Sequence, residues 1–593
     1  MKNATYFLLL LTVFACTQPN NKQLPINNEQ NNIQFNAFKE RFMEAFWKQH
    51  PTYATWSGYH KYDNVLVIPN EESRLNNELF CQQYLDSLKT FEIQKLNSAN
   101  STDLMLIKNQ LLSSLFGISQ MKSYEWNPAS YNLGGSFFEV IKYKGHDLET
   151  RLHNIHKKLE KVPEYFNAAK ANIKNPTIEH SNLAIQQNKG SVSVFEKTLR
   201  DSVNASSLSD ETKQHILEDI DEAVKAINNY VKWIEEELKP SLSEENGRSF
   251  RLGKELYERK FDYNIQSGFS AEEIYRKAIE YRANIHSEML SITKELWPKY
   301  LEGTEIPSDS LQAIRQMIDI LSLNHAHRDS FITEIRQQIP ELEQFINDKQ
   351  LLFLDPKKPL VVRETPEYMR GVAGASISAP GPYDADAETY YNVTPLDHYT
   401  EDEAESYLRE YNDYVLQVLN IHEAIPGHYT QLVYSNNSPS IIKSIFGNGT
   451  MIEGWAVYGE RMVLEEGYKN SPEMWLNYYK WNLRTVCNTI LDYSVHVLGM
   501  TEEKALDLLI NQAFQQESEA KGKWKRVTLT SVQLCSYFTG YYEIYNFREE
   551  LKKQAGEKFN LKNFHEKFLS YGSAPVKYIK ELMLEDLKEK NLQ

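Results

Sequence analysis

Cysteine is almost missing from this 593-residue chain: Cys16, Cys81, Cys487 and Cys535 are all there are, and no two form a CxxC pair. A thiolate metal site therefore has no signal. With Cys16 set aside, the odd remainder argues against a disulfide framework. Glycine (24) and proline (21) are scarce for the length, so helix breakers are few, and abundant Glu, Lys, Leu and Gln favour helices over strands. A basic excess is lacking too. The formal net charge is −16, without the basic patch of a nucleic-acid binder, so no nucleic-acid partner is expected. After the N-terminus, no apolar run is long enough to cross a membrane as a helix.

The N-terminus carries its own signal. In MKNATYFLLLLTVFAC one Lys precedes a largely apolar run from Tyr6 to Ala15. The run is short for a transmembrane helix and suits the apolar region of a signal peptide. Val13-Phe14-Ala15-Cys16 resembles a bacterial lipobox. That implies a signal and lipobox over 1–16, lipidation at Cys16, and a membrane attachment made through the lipid alone. Thr17 after the cysteine, in place of Asp, points by analogy to the outer membrane of the cell envelope. Residues 17–34, rich in Asn and Gln, cannot bury enough surface to fold and read as a tether.

From Phe35 onward the pattern is helical. FNAFKERFMEAFWKQHP puts Phe35, Phe38, Phe42 and Phe46 on one stripe beside Trp47. SSLSDETKQHILEDIDEAVKAINNYVKWIEEELKP opens on a Ser or Asp cap and runs amphipathically to Pro240, and SAEEIYRKAIEYRANIHSEMLSITKELWP repeats that design. Near residue 355 the texture changes to Gly, Pro and β-branched residues, as in loops and short strands. Helical patterning then returns. The expectation is a mainly α protein with a helical N-terminal part, 35–355, and a catalytic part, 356–593, packed together.

The candidate chemistry starts at HEAIPGH, residues 422–428. In the zinc-peptidase pattern HExxH, two histidines four apart lie only about 40° from each other around a helix. Here His422 and His428 are six apart and would diverge by about 120° on an unbroken helix. The insert supplies the remedy: Pro426 removes an N–H and clashes with the preceding turn, and Gly427 tolerates unusual backbone angles. Together they predict a helix bulge that swings His428 back beside His422. Glu423, next to the first ligand, is then the general base for the attacking water.

Farther along stands MIEGWAVYGERMVLEEGY. Glu453 lies among Met451, Ile452, Trp455, Ala456 and Val457, and a carboxylate in such surroundings is costly unless it is paired or ligates metal. It completes a site of two histidines and one carboxylate for a single Zn2+. Glu460, two turns on, faces nearly the same way and is placed to hold a ligand histidine from behind.

These segments resemble the bacterial family known as domain of unknown function 885, which is similar in active-site plan to the gluzincin metallopeptidases with their glutamate third ligand. HEAIPGH and EGWA-x-Y-x-E carry the resemblance most specifically. PTYATWSGYHKYD (51–63), MRGVAGASISAPGPYD (369–384) and RTVCNTILDYSVHVLGMTEEKA (484–505) add to it. TSVQLCSYFTG (530–540) corresponds to a family stretch reading PGQALSYKIG, with Ser531-Val532 where the family has Pro-Gly. The resemblance implies a monozinc peptidase of zincin-like helical fold, with a deep channel and a few short strands near the active site.

A peptidase transition state carries an oxyanion and needs a donor beside the metal; Tyr537 is the first candidate and His496 the second. Arg370, Arg484 and Arg526 are candidates to receive a substrate carboxylate, while His60 reads as structural. The function expected is hydrolysis of short peptides, as an exopeptidase of carboxypeptidase or dipeptidyl-peptidase type. Two rivals stand beside it: a zinc hydrolase of another amide or ester, such as a cell-wall fragment, and a non-catalytic surface-binding lipoprotein with a degenerate metal site. A structural zinc site is closed by four protein ligands; the sequence names three.

Overall fold

The computed structural model describes residues 28–242, 247–366, 374–384 and 388–592. The fold is 72 % helical, with a single small sheet among the described residues, as the scarcity of breakers implies. Strand β1 (Leu360–Glu364) pairs in parallel with β3 (Thr389–Val393), and β2 (Ala375–Ser378) pairs with β3 antiparallel, in the order β1-β3-β2.

The first helix, Asn28–Gln49, includes residues 28–34, the end of the expected tether; residues 1–27, with Cys16 and the signal, lie outside the described residues. The aromatic stripe of this helix is driven inward, with Phe35, Phe38, Phe42, Phe46 and Trp47 all buried. Helix Asp210–Trp233 is capped by Ser209, which accepts from the Thr212 amide. Helix Ala271–Tyr300 opens on a reciprocal capping box between Ser270 and Glu273.

The texture change at 355 is not a boundary in the core. One cluster of buried apolar side chains extends from Phe35 to Met583 and joins both expected parts. The lobe that has a core of its own lies elsewhere, between Tyr131 and Ile234, where helix Asp210–Trp233 packs on the helices before it. Two of the segments that carry the family resemblance meet at the edge of the main body. The Trp47 indole donates to the Tyr383 hydroxyl at 3.1 Å, and a Cβ on Gly381 would lie 2.3 Å from Ser57 O, so 51–63 and 381–384 are held in close contact.

One buried histidine ties the helix that carries Glu453 to the rest. His565 donates from Nδ1 to Leu351 O at 2.8 Å and accepts at Nε2 from the Tyr458 hydroxyl at 2.7 Å. Burial pushes its pKa down to about 3, whereas an unfolded histidine titrates near ~6.5. Between those values the unfolded chain binds the extra proton. His565 therefore contributes its full stability above pH ~6.5 and loses it as pH falls, by about 1.4 kcal/mol per pH unit. In thermal denaturation, His565→Gln is expected to flatten the fall of Tm between pH 6 and 4; an unchanged slope would assign that acid sensitivity to other groups.

Candidate metal centre

Helix Asp413–Glu423 is capped by Asn412, whose side chain accepts from the Tyr414 and Val415 amides, and it stops just past His422. Ala424 to Gly427 form a non-helical turn, and a new helix, His428–Asn436, starts at the second histidine. The six-residue spacing is thus solved by a break between two helices and not by the expected bulge within one. Pro426 and Gly427 build that break, though not for the reasons the sequence suggests. The Gly427 amide donates to Ile421 O at 3.0 Å, and a Cβ on Gly427 would lie 1.8 Å from His422 O. What matters is the missing side chain, since the returning backbone passes where no carbon fits. The Pro426 carbonyl accepts from the Trp455 indole at 2.7 Å, and its ring lies over Gly459. Both contacts dock the turn on helix Gly449–Glu465, which carries Glu453.

The donors converge as a result. His428 Nε2 stands 3.3 Å from Glu453 Oε2, and His422 Nε2 stands 3.8 Å from the same oxygen. Zinc–ligand bonds of about 2.0–2.2 Å place tetrahedral ligand atoms roughly 3.3 Å apart, so the three donors fit one ion of that size. Among the described residues, no fourth His, Cys, Asp or Glu joins this group. Cys81, Cys487 and Cys535 are buried free thiols and take no part.

Glu460 holds His422 from behind. Its Oε1 lies 2.7 Å from His422 Nδ1 and accepts from the Trp481 indole at 2.9 Å. That bond commits Nδ1 and leaves Nε2 for a metal. Burial alone would push the His422 imidazole down, but Glu460, then Glu423 and Glu453, outweigh it and raise its pKa to about 9. Burial also pushes Glu423 and Glu460 upward against the pull of the histidines. Glu453 is buried as well, yet His428 and His422 hold it below the ordinary carboxylate range. Three carboxylates around two imidazoles make a pocket that attracts a cation.

A close helix crossing sets Tyr537 beside this group. A Cβ on Gly454 would lie 2.3 Å from Gly540 C, and one on Gly540 would lie 1.9 Å from Thr450 O. Glu453 precedes the first glycine, and Tyr537 precedes the second by one helical turn. Arg526 donates to the Tyr537 hydroxyl at 3.1 Å and to Gln533 Oε1 at 2.7 Å. Burial, and next the Glu453 carboxylate, push the Tyr537 phenol upward and keep it protonated. The turn leading to this helix forms despite the Ser531-Val532 departure. Val532 has φ +70°, a conformation that suits the family's glycine. Asp492 secures it by accepting from the Val532 and Leu534 amides at 2.8 and 3.2 Å.

The other candidates are distributed unevenly. His496 is not brought to the cluster: its Nε2 donates to Val527 O and Thr530 O, each at 2.9 Å, so it anchors the chain before the Val532 turn. Arg484 lies over the Trp481 ring at 4.6 Å and pairs with Glu519 at 2.6 Å. Arg370 falls outside the described residues. Among the described residues one cavity is lined by Phe353, Tyr429 and Val433 and another by Phe38, Tyr84 and Phe91; none of the three metal-site candidates lines either. Trp481 and Asp492 were missed by sequence reasoning. Trp481 stands one turn before Arg484, and its role shows only once Glu460 is placed.

Residues 51–583 match the family described as bacterial protein of unknown function, DUF885, and the chain belongs to it. A solved candidate lipoprotein of unknown function from Shewanella oneidensis is 54 % identical, covering 93 % of this chain and 99 % of its own, with a TM-score of 0.85. A second candidate lipoprotein, from Colwellia psychrerythraea, shares the fold at 17 % identity and a TM-score of 0.76, covering 94 % and 99 % of the two chains. No match exists among curated proteins.

Two substitutions probe the construction of the centre. Gly427→Ala forces a carbon into the His422 carbonyl. It should destabilise the fold by roughly 1–3 kcal/mol and abolish stoichiometric zinc in metal analysis, whereas an alanine variant that keeps one zinc would refute this account of the turn. Glu460→Gln should keep the fold but weaken zinc affinity by roughly 10- to 100-fold in competition with a chelator.

Proposed function

We propose that the chain is a zinc-dependent peptidase of the bacterial envelope acting on short peptides. The observation that carries this reading is the convergence, among the described residues, of three protein donors, His422, His428 and Glu453, with the Glu423 carboxylate beside them. Catalytic zinc sites keep three protein ligands and an open position, whereas structural sites close with four. An ion held there supplies Lewis acidity, polarising the scissile carbonyl and acidifying water.

The chain's own groups do the rest. Glu423 takes the proton of the attacking water on its carboxylate and delivers it to the leaving nitrogen. Glu460 and Trp481 keep His422 in one tautomer and one orientation. Because Arg526 donates to the Tyr537 oxygen, the phenolic hydrogen is free to point at the oxyanion that develops on the carbonyl. The lipobox-like 13–16 segment, and the description of the Shewanella relative as a candidate lipoprotein, support attachment through Cys16.

Glu423→Gln is expected to keep one zinc per chain and to lower peptide hydrolysis by roughly 100-fold or more. Metal analysis paired with hydrolysis of blocked and free short peptides, with and without chelator, checks it. A fully active Gln variant would remove Glu423 from the mechanism.

A further inference from the structure

Next to the metal centre lies a cluster of charges that neither the zinc ligands nor Tyr537 explains. Helix Pro472–His496 contributes Lys480 and Arg484, and helix Glu517–Leu529 contributes Lys523 and Arg526. Against these four cations stand two carboxylates. Glu410 pairs with Lys480 at 2.9 Å and faces Arg484 at 3.7 Å; Glu519 pairs with Arg484 at 2.6 Å and faces Lys523 at 3.9 Å. The Arg526 bonds go to neutral Gln533 and Tyr537. Lys480 and Lys523 are buried. The positive surplus is felt within the cluster: burial, and next the Arg484 charge, push the Lys523 ammonium down to about 7 against the opposing pull of Glu519. Buried charge without a counter-charge is costly: alone, Lys523 sheds its proton near neutrality, and an anion beside it would hold that proton in place.

Its position says which anion. Arg526 touches Tyr537 and acts on the Glu453 carboxylate; Arg484 covers Trp481, whose indole holds Glu460. The cation cluster and the metal donors thus share the Tyr537 and Trp481 walls. Once a cation occupies the donors, Glu453 is committed to it, and Arg526 faces no other carboxylate within ion-pair distance among the described residues.

We propose that Arg484, Lys523 and Arg526 bind a substrate carboxylate on the leaving-group side of the scissile bond, the free C-terminus of a short peptide, which makes the enzyme a carboxypeptidase. This rests on the peptidase reading above and selects within it, because the same charges repel an N-terminal ammonium.

The test separates the two claims. Binding of acetyl-Ala-Ala-Phe, of its C-terminal amide and of acetyl-Ala-Ala-Asp-amide is measured by calorimetry on the zinc-loaded Glu423→Gln protein, and hydrolysis of the same peptides on the zinc-loaded wild type. The free acid is expected to bind and to turn over roughly 10- to 100-fold better than the Phe amide. Lys523→Met should narrow that acid-to-amide ratio roughly tenfold, mainly through KM. Equal binding of acid and amide overturns the carboxylate site, whatever the variant does. Binding of the Asp amide as tightly as the free acid keeps the anion site but overturns the C-terminus as its source. Selective binding of the acid with no hydrolysis of any peptide upholds the carboxylate site and removes the peptidase reading instead.

Discussion

Where the chain turns back after Glu423, the backbone of Gly427 runs against the His422 carbonyl so closely that no side chain fits between them. Everything about the metal donors depends on that approach. It ends one helix at Glu423 and lets another begin at His428, so the two imidazoles come from two helix ends that point at each other. The same turn offers the Pro426 carbonyl to Trp455, which fixes its distance from the helix that supplies Glu453. A wider turn would lose the indole bond and move His428 away from the oxygen it shares with His422. The three donors are therefore one mechanical unit.

A second close approach brings in the remaining group. Gly454 and Gly540 let two helices touch backbone to backbone, and each glycine has a functional residue within one turn. Tyr537 could not stand beside Glu453 at an ordinary helix separation of about 8–10 Å. The start of its helix depends on Asp492, a buried carboxylate whose oxygens take two amides of the Val532 turn and the Tyr257 hydroxyl. His496, from the last turn of the same long helix, holds the carbonyls just upstream. Its contribution to the site is to place the segment between Arg526 and Tyr537.

The grouping of His422, His428 and Glu453 was legible in the sequence because its signals are local: a His-Glu pair, a Gly-His pair, and a glutamate among apolar neighbours. Glu460 was legible for the same reason, since seven residues are nearly two full helical turns. The way the spacing is accommodated was not. Proline and glycine announce a break, but whether it is a bulge or two separate helices depends on Trp455 and Gly459, which arrive from another helix. His496 was misplaced because a buried histidine looks alike in sequence whether it faces a substrate or two carbonyls. Lys523 was hidden by its neighbours: KGKWKR reads as a solvated basic run, and only the packing of its helix separates the buried Lys523 from the exposed Lys521 and Lys525. Residues 28–34 look like tether by composition and are helical because Phe35 and the stripe behind it extend the helix backward into them.

The electrostatics of the centre follow from these placements. Three carboxylates crowd the donors, and four cations with two carboxylates stand on the other side of Tyr537 and Trp481. A net charge of −16 would suggest a uniformly acidic surface and says nothing of this separation, which is made inside the fold. Each half is costly to bury alone. They stabilise each other only partly, because Arg526 reaches Glu453 through space and not as a close ion pair. A dication on the donors and a carboxylate among the arginines and lysine would lower the net charge of both halves at once, and a peptide cut near its free end places its carbonyl and its carboxylate only a few ångströms apart. Under the proposed carboxylate site, an uncharged ester or amide would leave the cationic half as costly after binding as before.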